Sequence, residues 1–255
     1  MIHGFDHFTR YFAAQQNDFV IIGGIASRLI LETAGLEGRP TRDIDLVILA
    51  NPSKEFVATM RKYVEEGQYA TLQKGDEGES CTFYRFEEPD NKDFPAKIEL
   101  FAKRAIDFQL KPAQRIIPVA APNNLDDLSA IMLDDEYFDL LKSNMKSLRG
   151  IQVATEVALI PLKARAYLDL TERKEKGIQI NSRDIEKHRK DVFRLSLLLR
   201  SADSYPLADS IGHDLLRFLE IARSFKDADF KHSIGRNFNS IAESSTAIRN
   251  FFKLS

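Results

Sequence analysis

Apolar residues along this chain change period as the sequence proceeds. "DFVII" (Asp18–Ile22) is a short β-branched run stopped by Gly23-Gly24, the mark of a buried strand. "IASRLILETA" then puts Ile25, Leu29 and Ile30 on one side of a helix that ends near Gly35. "DIDLVIL" (Asp43–Leu49) predicts a second strand. In "NPSKEFVATMRKYVEEG", Phe56, Met60, Tyr63 and Val64 recur at helical spacing, with Pro52 suited to the first turn and Gly67 to the end. "CTFYRF" (Cys81–Phe86) and "AKIELFA" (Ala96–Ala102) flank the turn-rich "EEPDNKDFP" and predict an antiparallel hairpin. "RIIPVA" (Arg115–Ala120) reads as a further strand.

After "APNN" (Ala121–Asn124) strand signals stop. "TEVALIPLKARAYLDLTERKEKG" is helical on both sides of Pro161, which starts a new helix or kinks one. "SRDIEKHRKDVFRLSLLLR" is a second helix with Ser182 as its expected cap. "PLADSIGHDLLRFLEIARSF" and "NSIAESSTAIRNFF" complete a helical half. The acidic run Asp134-Asp135-Glu136 suits a helix N-terminus. The expected class is α+β: a small mixed sheet with flanking helices over residues 1–121, then a helical domain over 122–255.

Composition narrows the function classes. The 255 residues suffice for a sizeable core, and 44% hydrophobic with 29% charged residues is ordinary for a globular chain. A net charge of -2 excludes a strongly basic nucleic-acid binder; the cluster Arg183, Lys187, Arg189, Lys190 and Arg194 reads first as a solvated helix face, with a local basic wall as the alternative. The single cysteine, Cys81, excludes a disulfide framework and a zinc–thiolate site. No stretch has the length of a membrane span, and "MIHGFDHFTRYF" lacks the pattern of a secretion signal, so a cytoplasmic location without a membrane partner is expected. His188 shares a helical stripe with Ile185, Val192 and Leu195 and reads as a partly buried core histidine.

The polar exceptions inside apolar runs carry the chemistry. On a strand, Asp43 and Asp45 point the same way while Ile44, Leu46 and Ile48 point the other. Two close carboxylates repel, and a hard cation such as Mg²⁺ relieves the conflict by taking carboxylate oxygens together with phosphate oxygens. Gly23-Gly24, between strand and helix, lets backbone approach a ligand, and a helix N-terminus favours phosphate. In "KIELF", Glu99 faces the same side as Lys97 and Phe101. If that strand lies beside Asp43–Leu49, three carboxylates converge, enough for two metal ions and a base. The bland readings are a tight turn for the glycines, a solvated strand start for the aspartates and an exposed edge glutamate; on the later helices they are solvated charge for Lys163 and Lys190 and a surface salt bridge of Asp191 with Lys187 or Arg194.

Together, strand–Gly-Gly–helix, D-x-D on the next strand and a later acidic strand residue resemble the nucleotidyltransferase superfamily with its polymerase-beta-like fold. The form "GGIA…RPTRDIDL" is most similar to the abortive-infection AbiEii toxin subgroup, with Gly23, Gly24, Ala26, Arg39, Thr41, Asp43, Ile44 and Asp45 matching its pattern. In the helical half, "LIPLKARAYLDL" offers Lys163 and "KHRKDVFRL" offers Lys190-Asp191 for that subgroup's lysine and Lys/Arg-Asp motifs.

The resemblance implies a Mg²⁺-dependent transfer of a nucleoside monophosphate from a nucleoside triphosphate to an acceptor hydroxyl. Asp43, Asp45 and Glu99 would be catalytic and hold two metal ions. Gly23, Gly24, Ser27, Arg39, Thr41, Lys163, Lys190 and Asp191 would bind nucleotide. The AbiEii likeness implies an RNA acceptor, such as a tRNA end, and an antitoxin protein as partner. Small-molecule acceptors occur elsewhere in the superfamily. A non-catalytic nucleotide- or partner-binding protein on the same fold, and a D-x-D sugar-nucleotide transferase, stay open at this point.

Overall fold

The computed structural model describes residues 3–49, 52–74, 81–106 and 134–254. The chain is α+β with a mixed sheet, and it divides into two units. One unit takes residues 1–29, 39–122 and 145–154; the other takes 30–38, 123–144 and 155–255.

The first unit is built on strands β1 (Phe19–Ile22), β2 (Asp43–Ile48), β3 (Ala70–Lys74), β4 (Cys81–Glu87), β5 (Lys97–Ile106), β6 (Met145–Leu148) and β7 (Ile151–Ala154). Their order in the sheet is β3-β4-β5-β2-β1-β7-β6. β1 and β2 pair antiparallel, β2 and β5 run parallel, and β4 pairs antiparallel with β5, as the turn-rich link between them predicts. The β6–β7 hairpin corrects the expectation that strands end at Asn124: Ile21 of β1 pairs with Val153 of β7. Its turn is Arg149-Gly150, both at positive φ, and strands of four residues carry too few alternations to signal themselves. The strand read at Arg115–Ala120 lies outside the described residues.

The registers separate the sheet's faces. Phe19, Ile48 and Leu46 share a side with Ile44, Ile98 and Phe86, because directly paired residues point the same way. All six are buried. Helix α1 (Phe5–Tyr11) and helix α3 (Lys54–Gly67) join this side through rings: Phe19 meets Phe8, Phe12 and Phe56, and Tyr69 links Tyr63 to Phe86. Ser53, rather than Pro52, opens α3. Its hydroxyl accepts the Phe56 N–H and donates to Asp18. Gly67 is the last helical residue, and Gln68 takes the left-handed cap.

Helix α2 (Gly23–Thr33) follows β1 without a loop and stops at Gly35, where the Leu36 N–H returns to the Leu31 carbonyl. The second unit contains helices α4 (Asp135–Ser143), α5 (Glu156–Glu175), α6 (Ser182–Ser196), α7 (Asp209–Ala222), α8 (Ala228–Ile234) and α9 (Ile241–Phe252). Asp134 caps α4, as its acidic start predicts, accepting the Glu136 and Tyr137 N–H groups. Pro161 lies inside one continuous helix, where it withholds one backbone hydrogen bond. Asn181, one residue before the expected Ser182, caps α6. Among the described residues, no helix is long and apolar enough to cross a membrane.

Candidate functional site

The face of the sheet opposite the aromatic cluster becomes polar at one end, where β1 finishes and β2 and β5 begin. The strands set charges there in two rows. Glu87, Lys97 and Asp43 are paired across β4, β5 and β2; one step along, Arg85, Glu99 and Asp45 are paired across the same strands, and Asp45 faces Ile22 of β1. Glu99 therefore stands beside the D-x-D strand, in register with Asp45.

Gly23 follows Ile22 directly, and its φ of 68° is in the left-handed region. A Cβ on it would overlap the Asp45 carboxylate. A Cβ on Gly24 would come 2.7 Å from the Thr41 Oγ1 and 2.8 Å from an Arg39 guanidinium nitrogen. The glycine pair, the Arg39–Thr41 segment and Asp45 thus close on one another, and only the absence of side chains at 23 and 24 lets them. The start of α2, whose first N–H groups have no partner within the helix, sits in this group. Ser27 belongs to the same helix, but it is buried and its hydroxyl donates to the Gly23 carbonyl at 2.8 Å.

Asp43 and Glu99 are already in contact with cations. Lys97 Nζ is 3.2 Å from Asp43 Oδ2 and 3.5 Å from Glu99 Oε1. Arg85 Nε donates to Glu99 Oε1 at 2.7 Å, and its guanidinium adds an ion pair to the same oxygen. Burial by itself would raise the Glu99 carboxyl, but Lys97 and then Arg85 outweigh it and hold the group below its usual range. Burial works against the Lys97 ammonium too. Glu99, Asp43 and Asp45 overcome it, and the lysine titrates above its usual value. Neither Lys97 nor Arg85 was singled out by the sequence motifs. The alternating signs of "KIE" on one strand face are the available signal for Lys97, whereas Arg85 emerges only from the register of β4 on β5.

The donor set can be tested against Mg²⁺. Asp43 and Asp45 fit the carboxylate pair that holds this ion beside substrate phosphates, since they share a strand face and Asp43 keeps 46% of its side chain exposed. Glu99 fits poorly as a third ligand in this arrangement: only 11% of its side chain is exposed, and its Oε1 is shared by Arg85 and Lys97. Among the described residues, no three His, Cys, Asp or Glu side chains are grouped to hold a metal ion.

Lys163 and Asp191 belong to the second unit and meet there. Lys163 Nζ donates to Asp191 Oδ2 at 3.0 Å, and Arg194 donates to Asp191 Oδ1 at 2.8 Å and to the Ser233 carbonyl at 2.6 Å. All three charged side chains are buried. Lys190 instead reaches toward Glu186, at 3.6 Å. The basic wall read along α6 resolves into separate partners. Lys187 pairs with Asp184, and Arg189 pairs with Glu186 and lies over the Phe225 and Phe230 rings. His188 is buried, as its helical stripe predicts. Comparison of the chain with family models, with curated proteins and with solved structures yields no match.

Proposed function

We propose that this chain is a metal-dependent nucleotidyltransferase, with Asp43 and Asp45 as its catalytic carboxylates and the Gly23-Gly24 turn as its phosphate seat. The observation that carries this reading is the contact between a side-chain-free turn at a helix N-terminus and the carboxylate of a D-x-D strand. Each feature alone has an ordinary structural explanation. Their closure into one polar corner, with Arg39 and Thr41 over the second glycine, matches what a nucleoside triphosphate needs: backbone donors, a guanidinium and a carboxylate pair.

Asp43 and Asp45 would hold Mg²⁺, which would supply charge neutralisation at the reacting phosphate oxygens. The chain's own part is to hold the triphosphate against the start of α2 and to orient it with Arg39. The acceptor hydroxyl then attacks the α-phosphorus and gives its proton to solvent water, the bond to the β-phosphate oxygen breaks, and pyrophosphate leaves. Glu99, held low by Lys97 and Arg85, is a poor proton acceptor. Its part is to keep those two cations beside the aspartates. RNA is the proposed acceptor and an antitoxin the proposed protein partner, both on the resemblance of "GGIA…RPTRDIDL" alone.

The test is to incubate the protein with each α-labelled nucleoside triphosphate, Mg²⁺ and total RNA, and to resolve the products. Label in RNA is the expected result. Label in a small molecule would keep the activity and replace the acceptor. A second reading, a non-catalytic nucleotide-binding protein, is favoured by one observation: Lys97 and Arg85 already answer most of the acidic charge. Triphosphate binding with no label transferred to any acceptor would select it.

A further inference from the structure

The ammonium of Lys97 occupies the space between Asp43 and Glu99, and Arg85 pairs with the same Glu99 oxygen, Oε1. The position is fixed by the fold, because Lys97 is in register with Asp43 on a parallel neighbour and one strand step before Glu99. Three bare carboxylates would carry three negative charges and attract two divalent ions. With Lys97 and Arg85 in place the group keeps one net negative charge. A divalent ion bridging Asp43 Oδ2 and Glu99 Oε1 would have to expel the ammonium from the two oxygens that hold it.

We infer that Lys97 is a tethered cation standing where a second divalent ion would sit, so that the site takes a single divalent ion, on Asp43 and Asp45. This rests on the metal-dependent reading above and replaces its two-ion form. Lys97 is in this sense a positioning residue. It keeps Asp43 and Glu99 together without ligating anything itself, and it sets the metal stoichiometry.

The test uses the full chain and Mn²⁺ alone, with free Mn²⁺ followed by electron paramagnetic resonance during titration. Wild type is expected to bind one Mn²⁺ per chain. Lys97→Met and Lys97→Gln are each expected to bind two, since Asp43 loses its ammonium partner and Glu99 keeps only Arg85 of its two cations. The glutamine variant keeps a polar tip and guards against a methionine that does not fold. Thermal melting gives an independent readout: both variants melt lower than wild type without a divalent ion, and added Mg²⁺ restores them, which a merely structural lysine would not allow. Variants that bind one Mn²⁺ with wild-type affinity overturn the inference and leave the metal-dependent reading standing. Absence of Mn²⁺ binding in wild type and variants alike overturns both.

Discussion

Gly23 and Gly24 look interchangeable in the sequence, but their surroundings differ. Gly23 needs its positive φ and also gives way to the Asp45 carboxylate, whereas Gly24 has an ordinary φ and has Thr41 Oγ1, the flexible end of Arg39 and Thr41 Cβ as its nearest neighbours. Gly23→Ala is therefore expected to lose about 1–3 kcal/mol of stability in urea unfolding. Gly24→Ala should lose less than about 1 kcal/mol and should act instead on triphosphate binding. Equal losses in the two variants would contradict the contact. The charges beside them make a pH prediction. Glu99 titrates low, so its contribution is present above the ordinary glutamate value of about 4.3 and is lost as pH falls through its depressed value. Lys97 titrates high, so its contribution is complete below the ordinary lysine value of about 10.4 and is lost as pH rises through its raised value. The stability gap between wild type and Glu99→Gln should hold constant between these limits and close toward acid; a gap that widens below pH about 4 would contradict the pairing.

Helices α5 and α6 are tied by Asp191, one carboxylate between two buried cations. Asp191→Ala leaves both Lys163 and Arg194 buried without it and should cost about 3–5 kcal/mol. Lys163→Met leaves Asp191 its Arg194 partner and fills the space with apolar volume, so it should cost less. Urea unfolding of the two variants checks the order, and the reverse order would contradict this arrangement. The helices themselves were readable, because long segments at a 3.6-residue period announce themselves. The fate of Lys163 was not: a lysine on a helix is usually solvated, and its buried partner lies 28 residues away on another helix. The same holds among the strands. Alternation put Asp43, Asp45 and Glu99 on common faces, and the order of elements made their adjacency reasonable. Register decided it, and register is set by pairings between strands rather than by any one strand's pattern. Arg85 was hidden for this reason, since the long link between β4 and β5 does not fix their register from its own residues.

For the whole molecule, the α+β class and the mixed sheet follow from the alternation of strand and helix periods in the first half. The hairpin of β6 and β7 was missed because it returns to the sheet from within the later, helix-rich sequence, so that the first unit draws on residues from both halves. The balance of charge carries a functional consequence. The cations of α6 are largely engaged by acids of the same helix, which leaves the polar corner around Gly23 and Asp45 as the feature that most favours a chemical role. Asp43 and Asp45 are the residues on which the proposed role turns, and their replacement is expected to remove the proposed transfer without removing the fold, since neither side chain is in the apolar core. The decisive measurement is transfer of label from α-labelled nucleoside triphosphate by wild type and by the Asp43→Asn/Asp45→Asn double variant, each shown by melting to be folded. Transfer by the wild type and its loss in the double variant, by at least about a hundredfold, is the predicted result. A double variant that transfers label as fast as wild type would contradict the assignment.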